Sequence, residues 1–177
     1  WKPPGARSVG FHRDNAYLDW YRPREMATCW IALDPTSSSS GPVAFARGSH
    51  RWSTGADPAM DFHGPDDHRA AMDDAAAVEG VVPDVVPVEV PAGGGSFHHG
   101  WTWHGSDVNR SDVQRRALVV HCASSDARFH RPGFAEGNGP VYSRYARPDD
   151  DVMDEAHFPV LWTADGHRTP GLPEPPA

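Results

Sequence analysis

The sequence predicts an all-β fold, an antiparallel sandwich or jelly roll with a few short helices, and three observations predict it. Short runs rich in β-branched and aromatic residues recur along the chain. Gly, Pro and Ser bound these runs, and the connections between them are long and irregular rather than helical. With 177 residues the chain has room for one domain with a real core, expected to span residues 1–177.

Taken in order, Val9-Gly10-Phe11 is a short apolar stub that leads directly into His12-Arg13-Asp14. The run from Met26 to Leu33 (MATCWIAL) reads as a central strand, and Val43 to Ala46 (VAFA) as a short one. Between them Thr36 to Gly41 (TSSSSG) is a low-complexity turn. Residues 53–80 form an acidic insertion, within which Asp66 to Val78 (DDHRAAMDDAAAV) is the one plausible helix. Connections of this length are usually solvated or serve as lids. Strands are expected again at Val85 to Val90 (VVPVEV), Ser96 to His99 and Ala117 to Cys122 (ALVVHC). The tail, residues 133–177, is rich in Pro, Gly and Asp with little periodicity, and is expected to wrap the surface rather than form a second domain.

Composition narrows the partners. Sixteen basic residues stand against 24 acidic ones, for a net charge of −8, so the basic excess that phosphate backbones demand is missing and nucleic acid is not expected. No apolar run approaches the ~20 residues needed to span a bilayer, and the chain opens on no charged leader. A soluble, cytoplasmic protein without a membrane partner is the expectation. Cys29 and Cys122 each sit in an apolar run and read as small buried hydrophobes rather than a disulfide or redox pair. Lys2 is the only lysine, a bias that points to a GC-rich genome.

Chemistry concentrates in two stretches. The first is His12-Arg13-Asp14-Asn15; on a strand, alternate side chains share a face, so His12 and Asp14 can point to one interior while Arg13 points away. The second is Phe97-His98-His99-Gly100-Trp101-Thr102-Trp103-His104-Gly105-Ser106, followed by Arg115 and Arg116. Two histidines and one carboxylate form the ligand set that suits non-haem Fe(II) and leaves coordination positions open. An inward arginine at the start of the ALVVHC strand could hold a carboxylate with paired charge-assisted hydrogen bonds. Adjacent strand residues face opposite ways, so only one of Arg115 and Arg116 can do so.

The stretches "FHRDNAY", "MATCWIALD", "GPVAFARGSHRW" and "WHGSDVNRSDVQRRALVVH", in that order, resemble the phytanoyl-CoA dioxygenase family of iron- and 2-oxoglutarate-dependent oxygenases. The resemblance covers roughly residues 9 to 131. It implies a double-stranded β-helix, a jelly roll of the cupin-like kind. It also implies His12, Asp14 and His104 as iron ligands and Arg115 on the distal carboxylate of 2-oxoglutarate, with Trp30 lining that pocket and Ser106 bonded to the same carboxylate. His98 and His99 are rivals for the third ligand, and the match at "WHGS" favours His104.

Substrate contacts are sought among Asn15, Tyr17, His98, His99 and Trp101. Asn109 and the Gly48-Ser49-His50 turn are assigned structural roles, and His121 reads as a satisfied core histidine. The family usually carries an upstream segment that also supports the pocket, so the chain is expected to lack N-terminal residues. The implied activity is oxidation, most simply hydroxylation, of a C–H bond in a small organic molecule, a natural-product intermediate being one candidate, with Fe(II), 2-oxoglutarate and O2. An aspartate at position 14, where related halogenases have a small residue, argues against halogenation. Two other readings stay open: a cupin-type metal enzyme that uses no 2-oxoglutarate, and a binding module without catalysis.

Overall fold

The computed structural model describes residues 1–53 and 63–174, so the part of the acidic insertion at 54–62 and the last three residues of the tail lie outside the described residues. Among the described residues nine strands follow in order: β1 (Val9–His12), β2 (Tyr21–Arg22), β3 (Met26–Ala32), β4 (Val43–Ala46), β5 (Val85–Pro87), β6 (Gly95–His99), β7 (His104–Ser106), β8 (Ala117–Ala123) and β9 (Arg128–Phe129). Two helices accompany them, α1 (Ala70–Glu79) and α2 (Gly139–Tyr142), together with short 3-10 turns. No helix among the described residues is long and apolar enough to cross a membrane.

The chain divides into two compact units. The first comprises Trp1–Ala16 and Met26–Cys122, and it carries two sheets, β1-β7-β4-β5 and β6-β3-β8. The pairings of β1 with β7, β7 with β4, β4 with β5 and β3 with β6 are all antiparallel. Strands distant in sequence lie side by side, the arrangement of a jelly roll.

Each strand follows from its composition. In β3 the inward positions Met26, Thr28, Trp30 and Ala32 are buried and alternate with more exposed ones, the period of two that a half-buried strand requires. Trp30 and Ala32 of β3 pack with Val43 of β4, and Phe45, Val88, Val90 and Ala117 close round them, so this cluster joins the two sheets. β5 ends at Pro87, earlier than the apolar run, because the following backbone finds other partners. Val88 N–H donates to the Val43 carbonyl at 2.9 Å, and the Thr36 hydroxyl accepts from Val90 N–H at 2.9 Å.

The helix α1 starts four residues later than the sequence suggested. The Asp67 carboxylate accepts from Arg69 N–H at 2.9 Å, a local turn that competes with helix over the preceding residues. Met72 and Ala76, one turn apart, are buried; Met72 joins Phe11, Ala46 and Trp103 in the second core cluster. Gly80 ends the helix at φ +70°, a left-handed conformation that a side chain would resist.

The second unit comprises Tyr17–Glu25 and residues 123–177. β2 and β9 pair within it, Tyr21 opposite Phe129 and Arg22 opposite Arg128. Its interior is aromatic: Trp20 stacks on Tyr142 with centroids 4.1 Å apart, and Phe158 meets Phe129 edge-on at 5.6 Å.

Candidate metal centre

β1 and β7 bring the two motif stretches together. In their ladder His12 lies opposite His104 and Val9 opposite Ser106, with an irregularity between the two pairs. Gly105 permits the approach: a Cβ there would stand 2.7 Å from the Phe11 ring and 2.8 Å from the Val9 carbonyl oxygen. The imidazoles of His12 and His104 come to 4.2 Å between centroids.

Asp14 reaches the same place by a different route from the one the sequence suggested. β1 stops at His12, and Asp14 is the first residue of a 3-10 turn, Asp14–Tyr17. Simple strand alternation therefore does not explain the pair; the chain turns after Arg13 and swings the carboxylate under the histidines. Arg13 does not point to solvent either. It is buried, with its guanidinium 5.2 Å from the Trp101 ring centroid and 5.0 Å from that of Trp103.

Ligand atoms of His12, Asp14 and His104 all lie within 4.8 Å of one another. His12 Nδ1 donates to the Gly10 carbonyl at 2.8 Å, and His104 Nδ1 donates to the Thr102 carbonyl at 2.9 Å. Carbonyls only accept, so in the neutral ring each Nε2 carries a lone pair. These nitrogens stand 3.8 Å (His12) and 3.4 Å (His104) from Asp14 Oδ1. Burial, together with the neighbouring His104, lowers the His12 pKa to about 3 and so keeps that ring neutral. Burial alone would raise the Asp14 pKa; His104 beside it and the hydrogen bonds from His98 and Thr28 outweigh it and keep the carboxylate ionised. Two lone pairs and an anionic oxygen facing one another are the donor set of a divalent metal, with outer hydrogen bonds already fixing the ring orientations.

The other oxygen of Asp14 is surrounded by donors. Thr28 Oγ1 donates to Oδ2 at 2.8 Å, and His98 Nε2 donates to it at 3.1 Å. His98 and Thr28 are opposite each other in the β3 and β6 ladder, so one cross-strand pair supplies both contacts. His121, expected as a core histidine, is instead about half exposed on β8, with Nδ1 2.9 Å from Thr28 Oγ1. The reason is that β8 is an edge strand: Leu118, Val119 and Val120 are also exposed. Cys29 and Cys122 are likewise only half-buried and are free thiols, so the expectation of two buried hydrophobes is corrected.

A second cluster lies one strand step along β7, where Ser106 shares a face with His104. The first residues of the chain bridge to the start of β8: Lys2 N–H donates to the Arg115 carbonyl at 2.8 Å, and Arg115 N–H donates to that of Lys2 at 2.9 Å. Lys2 Nζ donates to Ser106 Oγ at 2.7 Å. Arg115 Nη2 donates to the Gly41 carbonyl at 3.0 Å and its guanidinium lies 5.7 Å from the Trp30 ring centroid, while its buried Nε has no hydrogen-bond partner among the described residues. Both cations are almost fully buried. Burial, and then the charge of Arg115, lowers the Lys2 pKa to about 8. Arg116 faces the other way and pairs with Asp34 at 2.7 Å on the surface.

The structure thus assembles His12, Asp14, His98 and His104 in one cluster and Trp30, Ser106 and Arg115 in the other. Asn15 is fully buried, its N–H donating to the Gly100 carbonyl at 3.0 Å. Tyr17 ends the 3-10 turn and opens the second unit. His99 Nδ1 accepts from Trp101 N–H at 3.1 Å, which ties those two residues into a turn. Asn109, also buried, donates through Nδ2 to the carbonyls of Lys2 and Val113 at 2.9 Å and 2.8 Å. Ser49 Oγ accepts from Trp103 N–H at 2.8 Å.

Thr28 and Lys2 were missed by sequence reasoning. Thr28 had one available signal, its place two residues before Trp30 on the inward face of an otherwise apolar strand.

Known proteins resemble this chain in sequence and fold. A curated relative, "Probable alpha-ketoglutarate-dependent hypophosphite dioxygenase" of Stutzerimonas stutzeri, is 32% identical over 130 residues, which is 71% of this chain and 43% of that protein. The solved structure of SnoK, a non-heme alpha-ketoglutarate-dependent carbocyclase from nogalamycin biosynthesis, is 28% identical with a TM-score of 0.62, covering 87% of this chain and 56% of its own. AviO1 from Streptomyces viridochromogenes Tue57 is 29% identical with a TM-score of 0.50, over 71% of this chain and 48% of its own. This chain therefore spans about half the length of the relatives it matches. Residues 1–117, which include every residue of both clusters, match the family model described as Phytanoyl-CoA dioxygenase (PhyH), and the chain belongs to that family.

Proposed function

We propose that the protein is an Fe(II)- and 2-oxoglutarate-dependent oxygenase that hydroxylates a C–H bond of a small organic molecule. The observation that carries this reading is the pairing of two oppositely charged sites along β7. His12, Asp14 and His104 converge on a cation position, and one strand step away Ser106 bonds Lys2, which with Arg115 places two buried cations there. A ligand that chelates a metal at one end and carries a free carboxylate at the other satisfies both, and 2-oxoglutarate is such a ligand.

In this reading His12, Asp14 and His104 hold the metal ion through three of its positions. Arg115 takes the distal carboxylate with its unpartnered Nε, Lys2 and Ser106 add donors, and Trp30 walls the pocket. When bound, iron with the keto acid and dioxygen would supply the oxidising power, with succinate and CO2 as the co-products. The chain's own contribution is to orient these partners and to keep the neutral tautomers of His12 and His104 in place. The matched relatives named for alpha-ketoglutarate-dependent reactions support the cosubstrate assignment.

The test is an anaerobic titration of Fe(II) into the full-length protein with 2-oxoglutarate present, followed by the visible charge-transfer band of a chelated keto acid. The band is expected in the wild type and absent in His104→Ala. Absence of the band in the wild type would overturn the assignment. A metal-loaded protein that forms no succinate from 2-oxoglutarate with any substrate would point instead to a cupin-type metal enzyme.

A further inference from the structure

We propose that Thr28 and His98 are positioning residues that restrict Asp14 to one-oxygen coordination and so keep a position on the metal open. The inference rests on the reading of the site given above and extends it to two residues outside the ligand set. Its basis is the asymmetry of the Asp14 carboxylate. Oδ1 faces the Nε2 atoms of His12 and His104 at 3.8 Å and 3.4 Å. Oδ2 accepts from the Thr28 hydroxyl at 2.8 Å and from His98 Nε2 at 3.1 Å.

A carboxylate can bind a divalent ion through one oxygen or through both. Bidentate binding would bring Oδ2 into the coordination sphere and take it from its two donors. Both are constrained by the fold. Thr28 is fully buried on the inward face of β3, and His98, its ladder partner, has a side chain only 5% exposed with Phe45 packed on its ring at 4.7 Å. Neither donor can follow the oxygen, and an abandoned buried hydroxyl and imidazole N–H would each lose a charge-assisted bond.

The hydroxyl is itself directed. Thr28 has one proton and spends it on Asp14, so at 2.9 Å it accepts from His121 Nδ1. His121 thereby holds Thr28 in the rotamer that serves Asp14 and is a positioning residue at one remove. The functional value lies in the count of free positions. Two histidines and a one-oxygen aspartate occupy three of six octahedral positions, leaving two for a chelating keto acid and one more. A two-oxygen aspartate would leave only two in all.

The test compares Thr28→Val, which keeps the shape and removes the hydroxyl, with Thr28→Ser, which keeps the hydroxyl. Co(II) affinity is measured first in the full-length protein, and 2-oxoglutarate affinity is then measured on the Co(II)-loaded form. In Thr28→Val, Co(II) is expected to bind at least as tightly as in the wild type, while 2-oxoglutarate binds about 10-fold more weakly, the lower end of the range for outer-shell changes. Thr28→Ser should restore wild-type values, and His98→Phe should move 2-oxoglutarate affinity in the same direction as Thr28→Val. A general loosening of the fold would weaken both ligands together, and that outcome overturns the proposal, as does 2-oxoglutarate affinity within about twofold of wild type in Thr28→Val. If the wild type itself binds Co(II) but not 2-oxoglutarate, the underlying reading fails and the inference with it. That result is separate from a wild type that binds both and a Thr28→Val variant that behaves like it.

Discussion

The two ends of β7 make opposite electrostatic demands. At the His104 end one carboxylate sits among histidines, every Nδ1 of the ligand pair is committed to a backbone carbonyl, and what remains is a set of lone pairs facing inward. At the Ser106 end Lys2 bonds a hydroxyl and Arg115 a backbone carbonyl, and the arginine Nε has no hydrogen-bond partner among the described residues. Isolated buried charges are costly, and each end lowers its cost by taking up a partner of the opposite sign. Under the proposed function the difference would divide their work: the first is pre-wired in its hydrogen bonds to take an ion, while the second would offer its donors to an anion.

Breaking the first end has the largest expected effect. Asp14→Ala removes the only anionic ligand and leaves Thr28 and His98 without their acceptor. Divalent metal affinity is expected to fall by more than the ~100-fold upper range of outer-shell changes, as read by Co(II) titration. Arg115→Ala breaks the second end alone: 2-oxoglutarate affinity should drop about 100-fold, roughly 3 kcal/mol, with Co(II) affinity unchanged. Arg115→Lys should recover only part of the loss, because an ammonium does not reproduce the planar fork.

Lys2 sharpens the contrast through pH. An incoming carboxylate favours protonated Lys2, whose pKa in the ligand-free protein is about 8, so 2-oxoglutarate affinity should decline as pH rises through that value. Lys2→Met should weaken binding about 10-fold at neutral pH and abolish this decline. Without ligand the sign reverses. The folded pKa is about 8 against 10.5 for the ordinary side chain, so between those values the unfolded chain binds more protons and stability rises with pH. Thermal melts of wild type and Lys2→Met across that window should show the slope in the first and lose it in the second. The smallest effect belongs to Arg116→Ala, whose exposed pair with Asp34 should leave both ligand affinities unchanged.

Much of this was legible in the sequence, and the exceptions have physical causes. The strands of the first unit were readable because β-branched and aromatic runs alternate between buried and exposed positions, as in Met26 to Ala32. The second unit was less so, since Trp20, Phe129, Tyr142 and Phe158 meet from turns, a two-residue strand and a four-residue helix, all too short to show a period. In the site, His12, Asp14 and His104 stood out by residue type and by the family motifs. The departure of Asp14 from the strand did not, because a 3-10 turn of Asp14-Asn15-Ala16-Tyr17 carries no distinct pattern. Thr28 in an apolar strand looks like any β-branched residue, and its role depends on a partner from β6. His121 was misread because a strand's apolarity says nothing of whether it lies at the edge of its sheet.

The step from His104 to Ser106 has one more consequence. Two residues of strand separate the metal-facing group from the anion-facing one, about 7 Å of backbone. Neighbours on both sides, β1 and β4, hold that strand in register. Under the proposed function such a spacing would act as a ruler for the cosubstrate: a keto diacid one methylene shorter could reach the metal or the Lys2–Ser106 pair but not both in full. Selection for chain length would then be a property of the sheet itself, set by peptide geometry rather than by the flexible side chains at either end.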